Sequence, residues 1–179
     1  MQFTFTDSDF LNADIHDSQV GLAVYRVRTL RHRFLSRSKK STIISAGSNH
    51  QPLATIHWEH HLLQISSESV ALSKIQSYLP SKRGIICRHF QWDSKHYELS
   101  YDDEQQRWKA TASDQLTESA TFHPPRRSKN GNQHKNTTAH GMIADDNDRL
   151  FLLMLFLVSE KQLRRRHETQ KVLRTTNVF

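Results

Sequence analysis

From Gly21 to His123 apolar and polar residues alternate with a repeat of two, in short runs separated by turn residues. That spacing sends successive side chains to opposite faces of an extended chain, so it predicts half-buried strands of an antiparallel sheet. The cleanest run is His96 to Asp102, where Tyr97, Leu99 and Tyr101 share one face and His96, Glu98, Ser100 and Asp102 the other. Before it, Ile86, Phe90 and Trp92 share a parity, and Asp93-Ser94-Lys95 suits a tight hairpin loop. After it, Asp103-Glu104-Gln105 turns the chain into Arg107 to Thr111. Further strands are expected at Leu22 to Leu30, Ser41 to Ala46, Leu53 to Trp58, His61 to Ser66, Ser69 to Gln76 and Leu116 to His123. So many short strands argue for a barrel or sandwich, because an open sheet of that size leaves unprotected edges.

Pro124-Pro125 ends the regular pattern, and Pro124 to Ala139 reads as a basic surface loop without a large aliphatic residue. The pattern then changes. Asp145, Asp146 and Asp148 offer N-cap candidates, and Arg164 to Arg166 sit where cations favour a helix C-terminus. Between them runs Leu150-Phe151-Leu152-Leu153-Met154-Leu155-Phe156-Leu157-Val158, far short of the roughly 20 residues that a membrane span needs. A helix apolar all round must be enclosed by protein, and the strand-rich part of the same chain is the simplest container. Leu150, Leu153, Met154 and Leu157 are expected among its buried residues.

Composition narrows the picture. A chain of 179 residues with 36% apolar content fits one domain. The single cysteine, Cys87, rules out an internal disulfide framework and a Cys-rich zinc site, and points to a reducing compartment. The N-terminus shows no basic segment followed by an apolar one, so a cytoplasmic location is the expectation. The net charge of +7 is unevenly spread. Residues 1–19 read as an acidic arm carrying Asp7, Asp9, Asp14 and Asp17, residues 20–167 as the folded domain with its basic insert at 124–139, and residues 168–179 as a tail.

A strand-rich domain followed by a wholly apolar helix resembles the tubby C-terminal-like superfamily, which includes the LURP-one-related proteins. Within it the chain is most similar to fungal, basidiomycete-type domains of unknown function. These read as a basic strand, a Thr-Ile-Ile strand and an Ala-x-Ile-x-Trp strand, here Tyr25-Arg26-Val27-Arg28, Thr42-Ile43-Ile44 and Ala54-Thr55-Ile56-His57-Trp58. The later Phe90-Gln91-Trp92, Tyr97-Glu98-Leu99, Trp108 and Arg149-Leu150 follow the same order. The resemblance implies a mainly β fold, an antiparallel barrel of about twelve strands enclosing the C-terminal helix. Gln2 to Thr6 and Gly141 to Ala144 then supply further strands.

Candidate chemistry is sparse. No Gly-rich phosphate loop, nucleophile elbow or Walker-type lysine occurs, so a non-enzymatic module with no catalytic residues and no cofactor is expected. Cys87 reads as an unreactive thiol beside Arg88 and His89, and His57, His60 and His61 with Glu59 as a polar turn rather than metal ligands. Asp102-Asp103-Glu104 lacks the central Gly and terminal Glu of a calcium loop. The basic residues remain. Arg26, Arg28, Arg31, Arg33, Lys39, Lys40, Arg126 and Arg127 are the candidate ligands for an anionic phospholipid headgroup at a peripheral membrane surface. Tubby domains bind phosphoinositides, so the resemblance implies the same class of ligand. Nucleic acid held by the same charges, and a protein-interaction scaffold, are the alternatives. Lys161 to Arg174 reads as helix capping followed by a frayed tail, with a nucleic-acid patch as its alternative.

Overall fold

The computed structural model describes residues 1–32, 39–78, 86–115, 117–125, 137–144 and 147–176. Among these residues thirteen antiparallel strands form one sheet, and a long helix follows them. In chain order the strands are β1 (Gln2–Phe5), β2 (Asp14–Asp17), β3 (Ala23–His32), β4 (Lys39–Ala46), β5 (Pro52–His57), β6 (Leu62–Ile65) and β7 (Glu68–Ala71). A short helix, α1 (Leu72–Ile75), leads to β8 (Gln76–Tyr78), β9 (Ile86–Trp92), β10 (Lys95–Asp102), β11 (Arg107–Ala112), β12 (Ala120–His123) and β13 (His140–Ile143). The long helix α2 spans Arg149–Thr176.

The order across the sheet is β7-β6-β5-β4-β3-β2-β1-β13-β12-β11-β10-β9-β8. Two meanders therefore meet where β1 pairs with β13, with Phe3 opposite Gly141. The outermost strands, β7 and β8, are joined through α1, whose single turn of four residues spans about 6 Å. That short tether keeps β7 and β8 near each other without pairing them, an arrangement consistent with a barrel-like fold. A cleft of about 610 Å³ lies between β7, α1 and the end of β9.

Period-two alternation places the core. In β10, Tyr97, Leu99 and Tyr101 are buried, and in β11 Trp108, Ala110 and Ala112 face the same way. Asp93, at φ 54°, makes the turn from β9 to β10, a conformation that aspartate tolerates. Gly141 lies so close to β12 and to Phe3 that a Cβ there meets the Thr121 carbonyl oxygen at 2.3 Å and the Phe3 ring at 2.6 Å. Only glycine fits.

Every residue of α2 from Phe151 to Glu160 is buried, while Leu150 is half-buried. Leu153, Met154 and Leu157 are in the core as the sequence predicts. Phe151 stacks on Trp92 at 4.7 Å and Phe156 on Phe122 at 5.5 Å, so strands from widely separated places in the chain grip the helix. At its start Leu152 N donates to the Asp148 carbonyl, and the Asp148 carboxylate accepts from Tyr97 Oη and from Lys95 Nζ. The buried carboxylate thus meets both the positive end of the helix and two donors.

Several sequence expectations change. The strand expected over Gln2 to Thr6 is β1, but the acidic stretch after it also carries β2 and buries Phe10, Ala13 and Ile15, which its composition masked. The strand expected over Ser69 to Gln76 divides into β7, α1 and β8. The helix does not end at Arg164 to Arg166 but continues to Thr176, since nothing there interrupts it and Arg164 pairs with Glu160 one turn earlier at 2.7 Å. The strand expected from Leu116 begins at Ala120, and Leu116 itself lies outside the described residues. So do the helix-cap candidates Asp145 and Asp146 and most of the 124–139 insert. Among the described residues no helix is long and apolar enough to cross a membrane.

Candidate anion-binding surface

The basic strand β3 alternates as expected, with Tyr25 and Val27 buried and Arg26 and Arg28 on the opposite face. These two guanidiniums are already engaged. Arg26 Nε donates to Asp14 Oδ1 at 3.1 Å and Arg28 Nη2 to the same oxygen at 2.7 Å. Arg26 also reaches the His50 ring at 3.1 Å. Partial burial raises the Asp14 pKa, but hydrogen bonds from Arg26 and Arg28 and their charges outweigh it and hold the carboxyl below its usual range. Asp14, from the acidic N-terminal segment, thus neutralises part of the stretch expected to bind anions.

The other predicted residues separate. In the β3–β4 ladder Arg31 is opposite Lys40 and His32 opposite Lys39, so basic positions face each other across the strands. Arg33, Arg126 and Arg127 lie outside the described residues.

A different group of cations comes together where α2 leaves the sheet. Along the inner face of β4, Ile44 and Thr42 are buried and Lys40 follows at the rim. Trp58, just after β5, donates its indole N–H to Thr42 Oγ1 at 2.8 Å, and Thr42 is within 2.8 Å of Thr29 Oγ1. Lys161 of α2 lies 3.3 Å above the Trp58 ring, a close cation–π contact. Arg165 is one turn further and lines the same shallow depression as Ile56, His57, Trp58, His61 and Lys161. Burial pushes the Lys161 ammonium down to about 8; Arg165 and Lys40 add to the shift, and Asp9 partly opposes it.

Beneath the rim the helix carries a buried polar layer. Arg88 of β9, on the same face as Phe90, is fully buried. Its Nη1 donates to Ser159 Oγ at 3.0 Å and to Gln162 Oε1 at 2.7 Å, and its guanidinium lies 5.6 Å from the centre of the Trp108 ring. Glu160 accepts from Trp108 Nε1 at 3.0 Å and from Arg164 Nε at 2.7 Å. Arg164 in turn covers the Phe10 ring at 4.8 Å. This layer fixes the rotation of α2, and so the placement of Lys161 and Arg165 on its rim.

A family model described as a family of unknown function, DUF6593, matches residues 8–165. The chain belongs to this family. The DUF6593 match runs from before β2 into α2 and takes in Lys40, Trp58, Lys161 and Arg165, while β1 lies ahead of it. No curated protein matches the chain, and no solved structure does.

The remaining sequence candidates resolve into local roles. His57 lies 3.2 Å from Gln64 Oε1 and 3.4 Å from Ser41 Oγ, and His61 makes the β5–β6 turn at φ 50°. Asp102 accepts from Gln105 N at 3.0 Å, a turn contact. Burial, with Glu98 nearby, pushes the Cys87 thiol up to about 11, the reverse of what an activated nucleophile needs. Sequence reasoning placed Lys161 and Arg165 in a cap and tail; the signal that they belong with Lys40 was Trp58, the end of the Ala-x-Ile-x-Trp strand.

Proposed function

We propose that the chain is a non-catalytic binding module of tubby-like build, with its sheet wrapped as a barrel around α2, that docks anionic phosphate headgroups at a cytoplasmic membrane surface. The observation that carries this reading is the convergence of Lys40, Lys161 and Arg165 beside Trp58. A half-buried ammonium held among like charges gains more from an incoming phosphate than a fully hydrated one does. Past the rim, α2 presents exposed Arg165, Arg166 and His167 and, further on, exposed Val172 and Leu173, a mixture suited to a headgroup layer. The rim is a better candidate than Arg26 and Arg28, which share Asp14 as a partner that offsets part of their charge.

Vesicle flotation tests it. Phosphatidylcholine vesicles with a phosphoinositide should carry the protein at low salt, and plain phosphatidylcholine vesicles should not. The double substitution Lys161→Gln with Arg165→Gln should weaken flotation at least tenfold. Equal failure to bind both vesicles at low salt sinks the reading. Retention on nucleic acid with a steep salt slope, in place of vesicles, transfers the same rim to a different ligand class.

A further inference from the structure

We propose that Cys87, His89 and Glu98 form a binding site for one zinc ion on the outer face of the β9–β10 hairpin. Sheet register builds the site. Cys87 and His89 are two apart on β9 and so share a face, opposite to buried Arg88 and Phe90. Glu98 of β10 is directly opposite His89. One potential ligand atom from each of the three lies within 4.8 Å of the others, and among the described residues they are the group of three that does so.

The three groups already touch one another, with Cys87 hydrogen-bonded to both His89 and Glu98, so an ion would take the place of the thiol proton among them. His89 Nε2 is 3.9 Å from Glu98 Oε2, too long for a hydrogen bond, and 3.6 Å from Cys87 Sγ. Zinc bonds of about 2.0 to 2.3 Å in a tetrahedron place ligand atoms about 3.3 to 3.6 Å apart. The sulfur–nitrogen edge is already there. Closing the other edges needs only a movement of Glu98, the exposed member of the three. One thiolate, one imidazole and one carboxylate are zinc's own ligand types, and a three-residue set leaves the fourth position to water. The surroundings do not oppose a cation. Lys109, opposite Ser100 on the next strand, is held by Glu118 at 3.2 Å, and Ser77 of β8 and Thr111 of β11 flank the site with neutral hydroxyls. Binding replaces the thiol proton by the metal and releases that proton to solvent.

The test uses the full chain after chelator treatment and dialysis. Calorimetric titration with zinc chloride should show one ion per chain, and cobalt(II) should give the thiolate-to-metal charge-transfer absorption that only a sulfur ligand produces. Cys87→Ser, His89→Gln and Glu98→Gln should each weaken zinc binding at least tenfold. All three side chains are on the outer face, and melting in chelator checks that each variant is folded. No zinc binding by the unsubstituted chain overturns the proposal. So do zinc binding undiminished in Cys87→Ser or His89→Gln, which places the ion on other histidines, and a cobalt complex without sulfur absorption, a readout that needs no variant.

Discussion

Arg88→Met is the sharpest probe of how the helix is held. Arg88 is fully buried, and its Nη1 bonds Ser159 and Gln162 while the guanidinium sits near the Trp108 ring. Methionine fills much of the same volume but donates nothing. Two hydrogen bonds from a charged donor are worth about 1.5 to 3 kcal/mol each, and the ring contact about 0.5 to 2 kcal/mol. Against them stands the desolvation of a buried cation, several kcal/mol in the opposite direction. The losses win because Gln162 Oε1 loses its charged donor, whereas Ser159 can turn to a carbonyl one helical turn earlier. The expected net loss is about 2 to 4 kcal/mol, read as a lower urea midpoint at unchanged slope. Adding Gln162→Leu removes the stranded oxygen, so the double variant should recover at least about 1 kcal/mol relative to additivity. An Arg88→Met protein as stable as the parent, or strict additivity in the double variant, refutes the account of a polar layer locking α2.

Other outcomes follow from the same geometry. Phe156→Ala, at a fully buried position stacked on Phe122, should cost about 3 to 5 kcal/mol by urea unfolding. Gly141→Ala should cost more than about 1 kcal/mol by the same measurement, since its methyl meets the Thr121 carbonyl, and Gly21→Ala should cost about 1 kcal/mol through its φ of 72° alone, with no neighbouring atom in the way. Lys161, with a folded pKa of about 8 against 10.5 in the unfolded chain, binds fewer protons when folded, so stability should rise from pH 8 towards 10.5. Phosphoinositide flotation should fall across the first part of that window, as the ammonium that the anion needs is lost. Arg26→Ala with Asp14→Ala, which removes one charge of each sign, should change flotation less than about twofold.

What the sequence made legible depended on how directly burial is written into side-chain type. Tyr97, Leu99 and Tyr101 announce their face because each is apolar and its neighbours are not. The helix from Phe151 to Val158 is equally plain. Arg88 shares the parity of Ile86, Phe90 and Trp92, yet an arginine in that register reads as an interruption; only the partners Ser159 and Gln162, far along the chain, make it a core residue. β2 was hidden for the opposite reason, since Ile15 stands between Asp14, whose charge faces outwards towards Arg26 and Arg28, and the polar His16 and Asp17. The cationic rim and the Cys87, His89 and Glu98 group share a third cause. Their members are adjacent through strand register or helix placement, which composition does not reveal until the pairing is known.

The meeting of β1 with β13 sets the order in which this molecule can be made. Each meander can form by local hairpins as it leaves the ribosome, but β1 waits for a partner that begins at His140, and α2, whose residues Phe151 to Glu160 are all buried, follows the described strands. Until α2 emerges, a nascent chain holds strands whose apolar faces have no helix to cover them, a species that invites aggregation or a chaperone. Translation stopped before Arg149 should therefore yield chains that never become soluble monomers, and supplying residues 149–176 as a separate peptide during refolding should rescue them.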